Sequence, residues 1–267
     1  MLDTSSSNLS IDRMLRIIEV MSESGKPMRL NEIAEESGVS NSTAMRILNT
    51  LIANKYAKQN EETLLYSLTM KFLMVGTNIR ENLPANQLIH PYLQEITTRL
   101  NLSCALAVLD ADNAGVVYID ECISAKQMLR VYHHLGHMHQ LHVNASGKLF
   151  LSQFSKEALT SYCRRHKFEP LTPKSILTQS DLERCLRQVT EQGYSLNDEE
   201  NMLGMRCFAV PIFDDKGTIS ASISISGTVH QIPLEQIPAM VTVVNSILDR
   251  FYEEYAPLLI IDNIFNF

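Results

Sequence analysis

Between positions 40 and 52, short hydrogen-bonding side chains and apolar side chains recur at the spacing of a helix. The apolar residues would form one buried stripe, made up of Ala44, Ile47, Leu48, Leu51 and Ile52. Ser40 is expected at the N-cap, and the outer face then carries Asn41, Ser42, Thr43, Met45, Arg46 and Asn49. Hydroxyls, amides and a guanidinium are the groups that bind base edges and phosphates in a DNA major groove. The segment therefore predicts a recognition helix that contacts double-stranded DNA.

The flanking segments predict the rest of a winged helix–turn–helix. A first amphipathic helix is expected over 10–24, and a short second helix ends at Gly38, which can adopt a positive φ. After the recognition helix, 56–58 and 64–66 predict two short strands around a polar tip. Lys58 would then stand on the wing, where a cation can contact a backbone phosphate.

Composition limits the kind of protein. A chain of 267 residues with 45% hydrophobic residues can bury two modest cores, so we expect two domains. The polar first residues and the lack of a long apolar segment predict a cytoplasmic protein with no membrane partner. Five cysteines without a CxxC pair are expected to be reduced thiols.

Although the net charge is −7, the segment 40–60 carries only basic charges, namely Arg46, Lys55 and Lys58. This distribution favours specific over indiscriminate DNA binding.

Beyond residue 68, helices and strands alternate along the chain. A helix over 69–83, closed by Pro84, is expected to connect the two domains. Hairpin turns are predicted at 110–113 and 215–217, with helices between the hairpins, and this order indicates an α+β fold with an antiparallel sheet. The predicted organisation is a winged helix–turn–helix domain over 1–68, a linker helix over 69–84 and a second domain over 85–267.

Within the second domain, the patterns predict individual elements. Helices are expected over 88–100, 146–154, 180–192 and 237–254, and strands over 103–109, 115–121, 127–132, 206–214 and 218–226. The apolar tail 258–267 is expected to pack against a partner.

Two polar features of this domain could hold a small anion. The segment 144–148 opens a predicted helix with small residues, and the free N–H groups of a helix start attract carboxylate or phosphate. Close packing of the helix would explain the same residues. Ser222, Ser224 and Ser226 alternate with isoleucines and would line one strand face. A polar ligand would satisfy these hydroxyls if they are buried, and solvent would do so if they are exposed.

Several separated motifs resemble the IclR-type transcriptional regulators. These motifs are Leu129-Arg130, Gly136, Leu141, Ala145-Ser146-Gly147-Lys148, Gly193-Tyr194, Asn197-Asp198-Glu199-Glu200, Gly204-Met205-Arg206-Cys207, Ala209-Val210-Pro211-Ile212-Phe213-Asp214 and Ser224-Ile225-Ser226-Gly227. With the winged helix, the resemblance covers nearly the whole chain. It implies a GAF-like effector-binding domain over 85–267 that binds a small-molecule carboxylate, and a homodimer or homotetramer on operator DNA.

The resemblance also implies an effector pocket. By position, it is formed by Met128, His139, Ala145, Ser146, Asn197, Met205, Cys207, Ser224 and Ser226. The backbone amides of Ala145 and Ser146 would hold the carboxylate, and the side chains would bind hydroxyl or carbonyl oxygens. The chain departs from the family at Asn197, where an acid is common, and at Gln140, where proline is common. The acidic net charge and the nearby histidines favour a hydroxylated carboxylate such as a sugar acid.

Five of the eight histidines lie within ten positions, at His133, His134, His137, His139 and His142. His137 and His139 could place both rings on one strand face and ligate zinc. No acid or cysteine stands at matching spacing, which favours a loop and strand edge over the pocket. The sequence therefore predicts neither a metal nor a cofactor.

Two other classes of protein are alternatives to a regulator. An enzyme acting on a small carboxylate, with an appended winged-helix interaction domain, would need paired carboxylates or a nucleophile with a base. Cys207 has no His–Asp pattern around it, and the adjacent acids at 198–200 are expected to be helix-terminus charges, so no catalytic residue is predicted. A pure interaction scaffold would not need the polar face of the second helix. The sequence favours a ligand-responsive repressor of a catabolic operon, in which the effector shifts the spacing of paired recognition helices.

Overall fold

The computed structural model describes residues 8–112, 114–126, 135–256 and 264–265. The chain divides between Ile79 and Arg80 into two compact units. Within the described ranges, no helix is long enough and apolar enough to cross a membrane.

The first unit is a winged helix–turn–helix, as predicted. It consists of α1 (Leu9–Glu23), α2 (Leu30–Glu36), α3 (Asn41–Ala53), β1 (Ala57–Gln59) and β2 (Tyr66–Leu68). The two strands pair antiparallel, with Ala57 opposite Leu68, and Met28 adds a bridge to Tyr66. All three helices and the wing contribute to one apolar core, which includes Ile17, Met21, Ile33, Ala44, Leu48 and Tyr66.

Short polar side chains set the ends of these elements. Ser40 Oγ accepts a hydrogen bond from the Thr43 N–H at the start of α3, and Gly38 takes the predicted left-handed conformation with a φ of +67°. At the wing tip, Asn60 Oδ1 accepts bonds from two backbone N–H groups that follow it. This turn extends the tip, so the second wing strand begins at Tyr66, two residues later than predicted.

Helix α4 (Lys71–Glu81) is shorter than the predicted connector, and none of its side chains is buried. Pro84 does not close this helix, which corrects the prediction. It is instead the first residue of α5 (Pro84–Leu100). Proline suits that position because the N–H group it lacks would have no partner in the first turn of a helix.

The second unit is built on a six-stranded antiparallel sheet, which confirms the predicted α+β class. Across the sheet the strands are β5 (Met138–Gln140), β4 (Gly115–Cys122), β3 (Ser103–Asp110), β8 (Ile219–Thr228), β7 (Met205–Phe213) and β6 (Ser195–Asp198). One face is covered by α5 and α9 (Ile237–Tyr255). The other is covered by α6 (Ala145–Leu151), α7 (Lys156–Arg165) and α8 (Gln179–Gln192). Alternate residues of each strand therefore enter two different cores.

A bulge interrupts this alternation in β4. Leu106 lies opposite Asp120, whereas the next residue of β3 lies opposite Tyr118, so Ile119 is an extra residue. Tyr118 consequently packs in the core beneath α6, while Cys122 packs in the core beneath α5.

Several predicted elements differ from the structure. Helix α7 and the short edge strands β5 and β6 were not predicted, because few apolar residues mark them, and the predicted strand 127–132 lies outside the described residues. The helix expected over 146–154 ends at Leu151. From there the backbone N–H groups donate to the carbonyl three residues earlier, as in a tighter 3-10 turn.

In the apolar tail, Ile264 and Phe265 are buried in the core with α5 and α9 rather than left for a partner, since that core offers them apolar neighbours.

Candidate functional site

The outer face of α3 presents polar side chains. The residues predicted to contact DNA are exposed or half-buried there, namely Ser40, Asn41, Ser42, Thr43, Met45, Arg46 and Asn49. The opposite side of the helix is buried at Ala44, Ile47, Leu48 and Leu51, whereas Ile52 is only half-buried. Lys58 is exposed on β1. The structure therefore brings the seven residues at the start of and along α3 onto one exposed surface.

The start of α3 is held by a local network of hydroxyls. Ser40 Oγ lies 2.9 Å from Thr43 Oγ1 and 3.1 Å from Ser42 Oγ. Met45 Sδ accepts a weak bond from the Tyr66 hydroxyl at 3.6 Å, which ties the helix to the wing strand β2. These contacts give Ser40 and Met45 structural roles and fix the direction in which the rest of the face points.

Neighbouring strands of the large sheet align several of the predicted ligand residues. Asn197, Cys207 and Ser226 are register partners across β6, β7 and β8. Ser224 lies two residues from Ser226 on the same face of β8, and both serines are buried. The sheet therefore places a hydroxyl, a thiol and an amide side by side beneath α6.

Tyr118 on β4 is a polar residue of this region that the sequence analysis missed. Its ring centre is 5.7 Å from that of His139, and Ser146 and Ser224 lie close to its hydroxyl. Burial raises the pKa of Tyr118 to about 12, so the phenol keeps its proton and can donate a hydrogen bond at neutral pH. Tyr118 thus joins predicted residues from three elements, β5, α6 and β8.

The amide of Asn197 is used within the chain. Its Nδ2 donates to the Val143 carbonyl at 2.7 Å, and its Oδ1 accepts from the Glu200 N–H at 3.1 Å. At the start of α6, Asn144 Oδ1 accepts from the Gly147 N–H at 2.7 Å. These bonds hold the segment before α6 against the end of β6.

A buried ion pair lies next to these residues. The Lys148 side chain is completely buried, and its Nζ lies 2.6 Å from each carboxylate oxygen of Glu200. Burial raises the pKa of the nearby Cys207 thiol, while the Ser226 hydroxyl and the Lys148 charge act in the opposite direction. Cys207 therefore remains a thiol in a polar, enclosed environment.

The acids at 198–200 do not terminate a helix, so that prediction is wrong. They lie at and just after the end of β6, where cations from neighbouring segments neutralise them. Arg206 Nε lies 2.7 Å from Asp198 Oδ1, and Lys174 Nζ lies 2.7 Å from Glu199 Oε2. Lys174 Nζ also lies 3.0 Å from Asp198 Oδ2, so Asp198 and Glu199 share one cation, whereas Glu200 pairs with Lys148. The three carboxylates are thus neutralised by different groups of cations rather than directed into one cavity.

The histidines between 133 and 142 have different surroundings. His133 and His134 lie outside the described residues, as does Met128. His137 precedes β5, which begins at Met138, so it does not share that strand with His139, as the zinc hypothesis requires. His142 is buried, with Nδ1 2.8 Å from the Tyr162 hydroxyl. In the described part of the chain, no three His, Cys, Asp or Glu side chains are grouped to hold a metal ion.

The structure therefore brings together most of the described ligand residues, but not all. His139, Ser146 and Ser224 surround Tyr118, with Cys207 and Ser226 on the adjoining strands. Ala145 is buried at the start of α6, and Met205 is half-buried at the first position of β7.

Comparison with known proteins extends over both units. Residues 10–61 match the IclR helix-turn-helix domain, and residues 78–248 match the family described as bacterial transcriptional regulator IclR C-terminal. The transcriptional repressor IclR of Escherichia coli K12 is 29% identical over 228 residues, covering 85% of this chain and 83% of that protein. The acetate operon repressor of Salmonella typhimurium is 30% identical with the same coverage.

A solved structure shows the same fold. The crystal structure of an IclR transcriptional regulator from Alicyclobacillus acidocaldarius aligns with a TM-score of 0.77 at 21% sequence identity. The alignment covers 92% of this chain and 98% of that one. The relatives named above are regulators and repressors of transcription, not enzymes. The C-terminal family match alone spans more than half of this chain. The chain therefore belongs to the IclR family of bacterial transcriptional regulators.

Proposed function

We propose that this chain is a repressor of a catabolic operon that binds double-stranded operator DNA through α3 and the wing and responds to a small organic acid. The observation that carries the proposal is the exposed polar face of α3 within a matched helix-turn-helix domain. Two relatives of similar length are named repressors, and one of them is named for an operon. A repressor of this kind acts in the cytoplasm, where the DNA is.

The proposed DNA contacts follow from the chemistry of the exposed side chains. Arg46 can bind guanine or a phosphate, and the amides of Asn41 and Asn49 can bind adenine. Lys58 contributes one phosphate contact from the wing. Because the DNA-binding face of each chain has few basic side chains, tight binding to operator DNA requires two recognition helices on paired half-sites.

The proposed effector site lies beneath α6. Tyr118, Ser146 and Ser224 supply hydroxyls from three elements, and His139 supplies an imidazole at their edge. Hydroxyl groups suit a hydroxylated carboxylate of the sugar-acid type, because each ligand oxygen would find a donor or acceptor. The backbone amides of Ala145 and Ser146 are the proposed contacts of the carboxylate group.

The proposal assigns DNA binding to 1–68, the connection to 69–84 and effector binding to 85–267. It also requires a homodimer or a homotetramer. Large apolar side chains are exposed on α1, on α4 and at the residue before α4, namely Leu9, Ile11, Leu15, Met70, Leu73, Met74, Val75 and Ile79. Exposed apolar surface of this extent is typical of protein–protein contact sites.

Fluorescence anisotropy tests the proposal, with DNA from the intergenic region upstream of the chain's own gene. We expect tight binding that weakens with salt and survives an excess of unrelated competitor DNA. Small carboxylates, sugar acids first, are then screened for a change in that affinity. Weak binding that is equal for every DNA would contradict the proposal and favour the enzyme with an appended interaction domain.

A further inference from the structure

A cavity of about 600 Å³ lies beside the end of β4 on the sheet face covered by α5. Its lining includes His90, Gln94, Thr97, Cys122 and Lys126. The proposed effector residues lie in the core on the opposite face of the sheet, beneath α6. The cavity is therefore a separate site, and neither DNA binding nor effector binding uses it.

Beside this cavity, a thiol, an imidazole and a carboxylate contact one another in series. Cys122 Sγ lies 3.9 Å from His90 Nε2, and His90 Nδ1 lies 2.6 Å from Asp120 Oδ2. The Asp120 side chain is almost completely buried, whereas the His90 side chain is 39% exposed. The bulge at Ile119 produces this arrangement, because it turns Asp120 and Cys122 toward α5.

The Asp120 carboxylate can only accept a hydrogen bond, so His90 Nδ1 carries the proton that is donated to it. In neutral His90 the one lone pair of Nε2 then faces both the Gln94 amide, 3.1 Å away, and the Cys122 thiol. When the Gln94 side chain turns away, Nε2 is available to the thiol, and the series of thiol, imidazole and carboxylate is one that activates a nucleophile.

A second thiol lies directly across the strand pair. Cys104 on β3 is the register partner of Cys122 on β4, and both pack in the core beneath α5. Thr97 Oγ1 lies 3.1 Å from Cys104 Sγ and donates to the Cys122 carbonyl. Opposite residues of an antiparallel pair have Cα atoms about 4.5–5.5 Å apart, within the range of about 4.4–6.8 Å found in disulfides. The two sulfurs can therefore be bridged with small adjustments of the strands.

We propose that Cys122 and Cys104 form a peroxide-sensitive dithiol, with His90 as the base that activates Cys122. The co-reactant is a small hydroperoxide that enters the cavity. The Cys122 sulfur attacks the terminal oxygen, so an S–O bond forms and the O–O bond breaks. The thiol proton passes through His90 Nε2 to the departing oxygen, which leaves as alcohol or water. Sulfur loses two electrons to the peroxide and becomes a sulfenic acid.

The second step closes the disulfide. The Cys104 sulfur attacks the Cys122 sulfur, an S–S bond forms, and the S–O bond breaks. The Cys104 proton leaves with that oxygen as water. In sum, two thiols and one hydroperoxide give one disulfide, one alcohol or water from the peroxide, and one further water.

The surroundings keep both sulfurs protonated at rest. Burial raises the pKa of Cys122 to about 12, and the charges of Asp120 and Glu121 add to that effect. Burial also raises the pKa of Cys104 to about 12, partly offset by its bond with Thr97. Both shifts oppose formation of the reactive thiolate, so we expect slow oxidation whose rate depends on proton transfer from Cys122 to His90. Cys104 is fully buried and can react only with the oxidised Cys122 beside it.

Peptide mapping of the oxidised protein tests the proposal. The full chain is reduced, freed of reductant, treated with hydrogen peroxide or tert-butyl hydroperoxide, and digested without reduction. We expect a disulfide-linked pair of peptides containing Cys104 and Cys122, which dithiothreitol separates. In Cys104→Ser the second step is blocked, so dimedone should label Cys122. The matched control Cys163→Ser should form the Cys104–Cys122 link as the wild type does.

The role of His90 is tested by the rate at which the Cys104–Cys122 disulfide forms. His90→Gln keeps a donor toward Asp120 but removes the base, so we expect the link to form about 100-fold more slowly. The control His230→Gln should form it at the wild-type rate, and melting curves establish that both variants are folded. Three results would overturn the proposal: no reaction of Cys122, oxidation confined to Cys163, Cys185 and Cys207, or an unchanged rate in His90→Gln.

Discussion

Among single residues, Tyr118 concentrates the polar contacts beneath α6. Its ring lies against that of His139, and Ser146 and Ser224 lie close to its hydroxyl. These side chains come from positions up to about a hundred residues apart, and the sheet brings them into one place. Among the described residues, the buried Ser146 Oγ has no hydrogen-bond partner, and a small polar ligand bound there would supply one.

The first prediction concerns Tyr118→Phe. Removal of one hydroxyl should weaken binding of the carboxylate effector about tenfold, because one hydrogen bond to the ligand is lost and a serine hydroxyl loses a neighbour. Isothermal titration calorimetry measures the affinity for the carboxylate found in the DNA-binding screen. Tyr194→Phe, at a half-buried tyrosine on the opposite core, is the control. An unchanged affinity in Tyr118→Phe would place the effector elsewhere.

The second prediction concerns His142 and pH. Burial, followed by the nearby His166 and Lys148, lowers the pKa of His142 to about 4 from 6.5. Between these values the unfolded chain binds a proton that the folded protein does not. Folding stability should therefore fall as the pH decreases from about 6.5 to 4, by about 3 kcal/mol from this residue.

Denaturant unfolding across that pH range measures the effect. His142→Gln removes the titrating group and should flatten the pH dependence, although His166, whose pKa burial also lowers, leaves a residual slope of the same sign. A slope as steep as that of the wild type would show that His142 does not titrate as predicted.

At the scale of elements, the start of α6 depends on a close approach that only glycine permits. A Cβ atom at Gly147 would lie 2.2 Å from the Leu141 carbonyl oxygen and 2.4 Å from its Cα, so the backbone would have to move. The third prediction is that Gly147→Ala destabilises the fold by about 1–3 kcal/mol. Gly76 in α4 has no such neighbour, and Gly76→Ala should stabilise that helix by up to about 1 kcal/mol. Equal effects of the two substitutions on the melting temperature would contradict this explanation.

The elements that were predicted correctly have strong periodic patterns. Helix α3 combines a serine cap, an apolar stripe and a preceding glycine, and its observed bounds agree with these signals. Pro84 was misjudged because a proline after a helical pattern fits the end of one helix as well as the first residue of the next. The bulge at Ile119 has no local signal, since one extra residue in an apolar strand leaves the composition unchanged.

The candidate site was predicted only in part, because contacts between distant positions leave no local pattern in the sequence. The serines of β8 follow from their alternation with isoleucines, whereas Tyr118 stands in an apolar strand and looks like core. The pairing of Lys148 with Glu200 joins positions that are far apart in sequence. The alignment of Cys104, Cys122 and His90 likewise requires the register of β3 and β4, which the sequence pattern does not specify.

At the scale of the whole molecule, the exposed apolar side chains indicate self-association. Met70, Leu73 and Met74 are each at least 59% exposed and lie on adjacent turns near α4. The fourth prediction is that Leu73→Glu shifts the protein toward monomer, because burying a charge in an apolar contact is costly. Light scattering after size-exclusion chromatography measures the mass, and Leu177→Glu, at an exposed leucine outside α1 and α4, is the control. An unchanged mass in Leu73→Glu would place the contact between copies elsewhere.

The most direct test of the DNA-binding account compares two arginine variants on the upstream DNA. Arg46→Ala removes the guanidinium from the exposed face of α3, and Arg187→Ala removes another exposed guanidinium from α8 in the other unit. Fluorescence anisotropy at several salt concentrations should show specific affinity lost by tenfold or more in Arg46→Ala, a change of about 1–3 kcal/mol, with a smaller salt dependence. Arg187→Ala should bind as the wild type does. Equal affinity of Arg46→Ala and the wild type would contradict the assignment of α3 as the recognition helix.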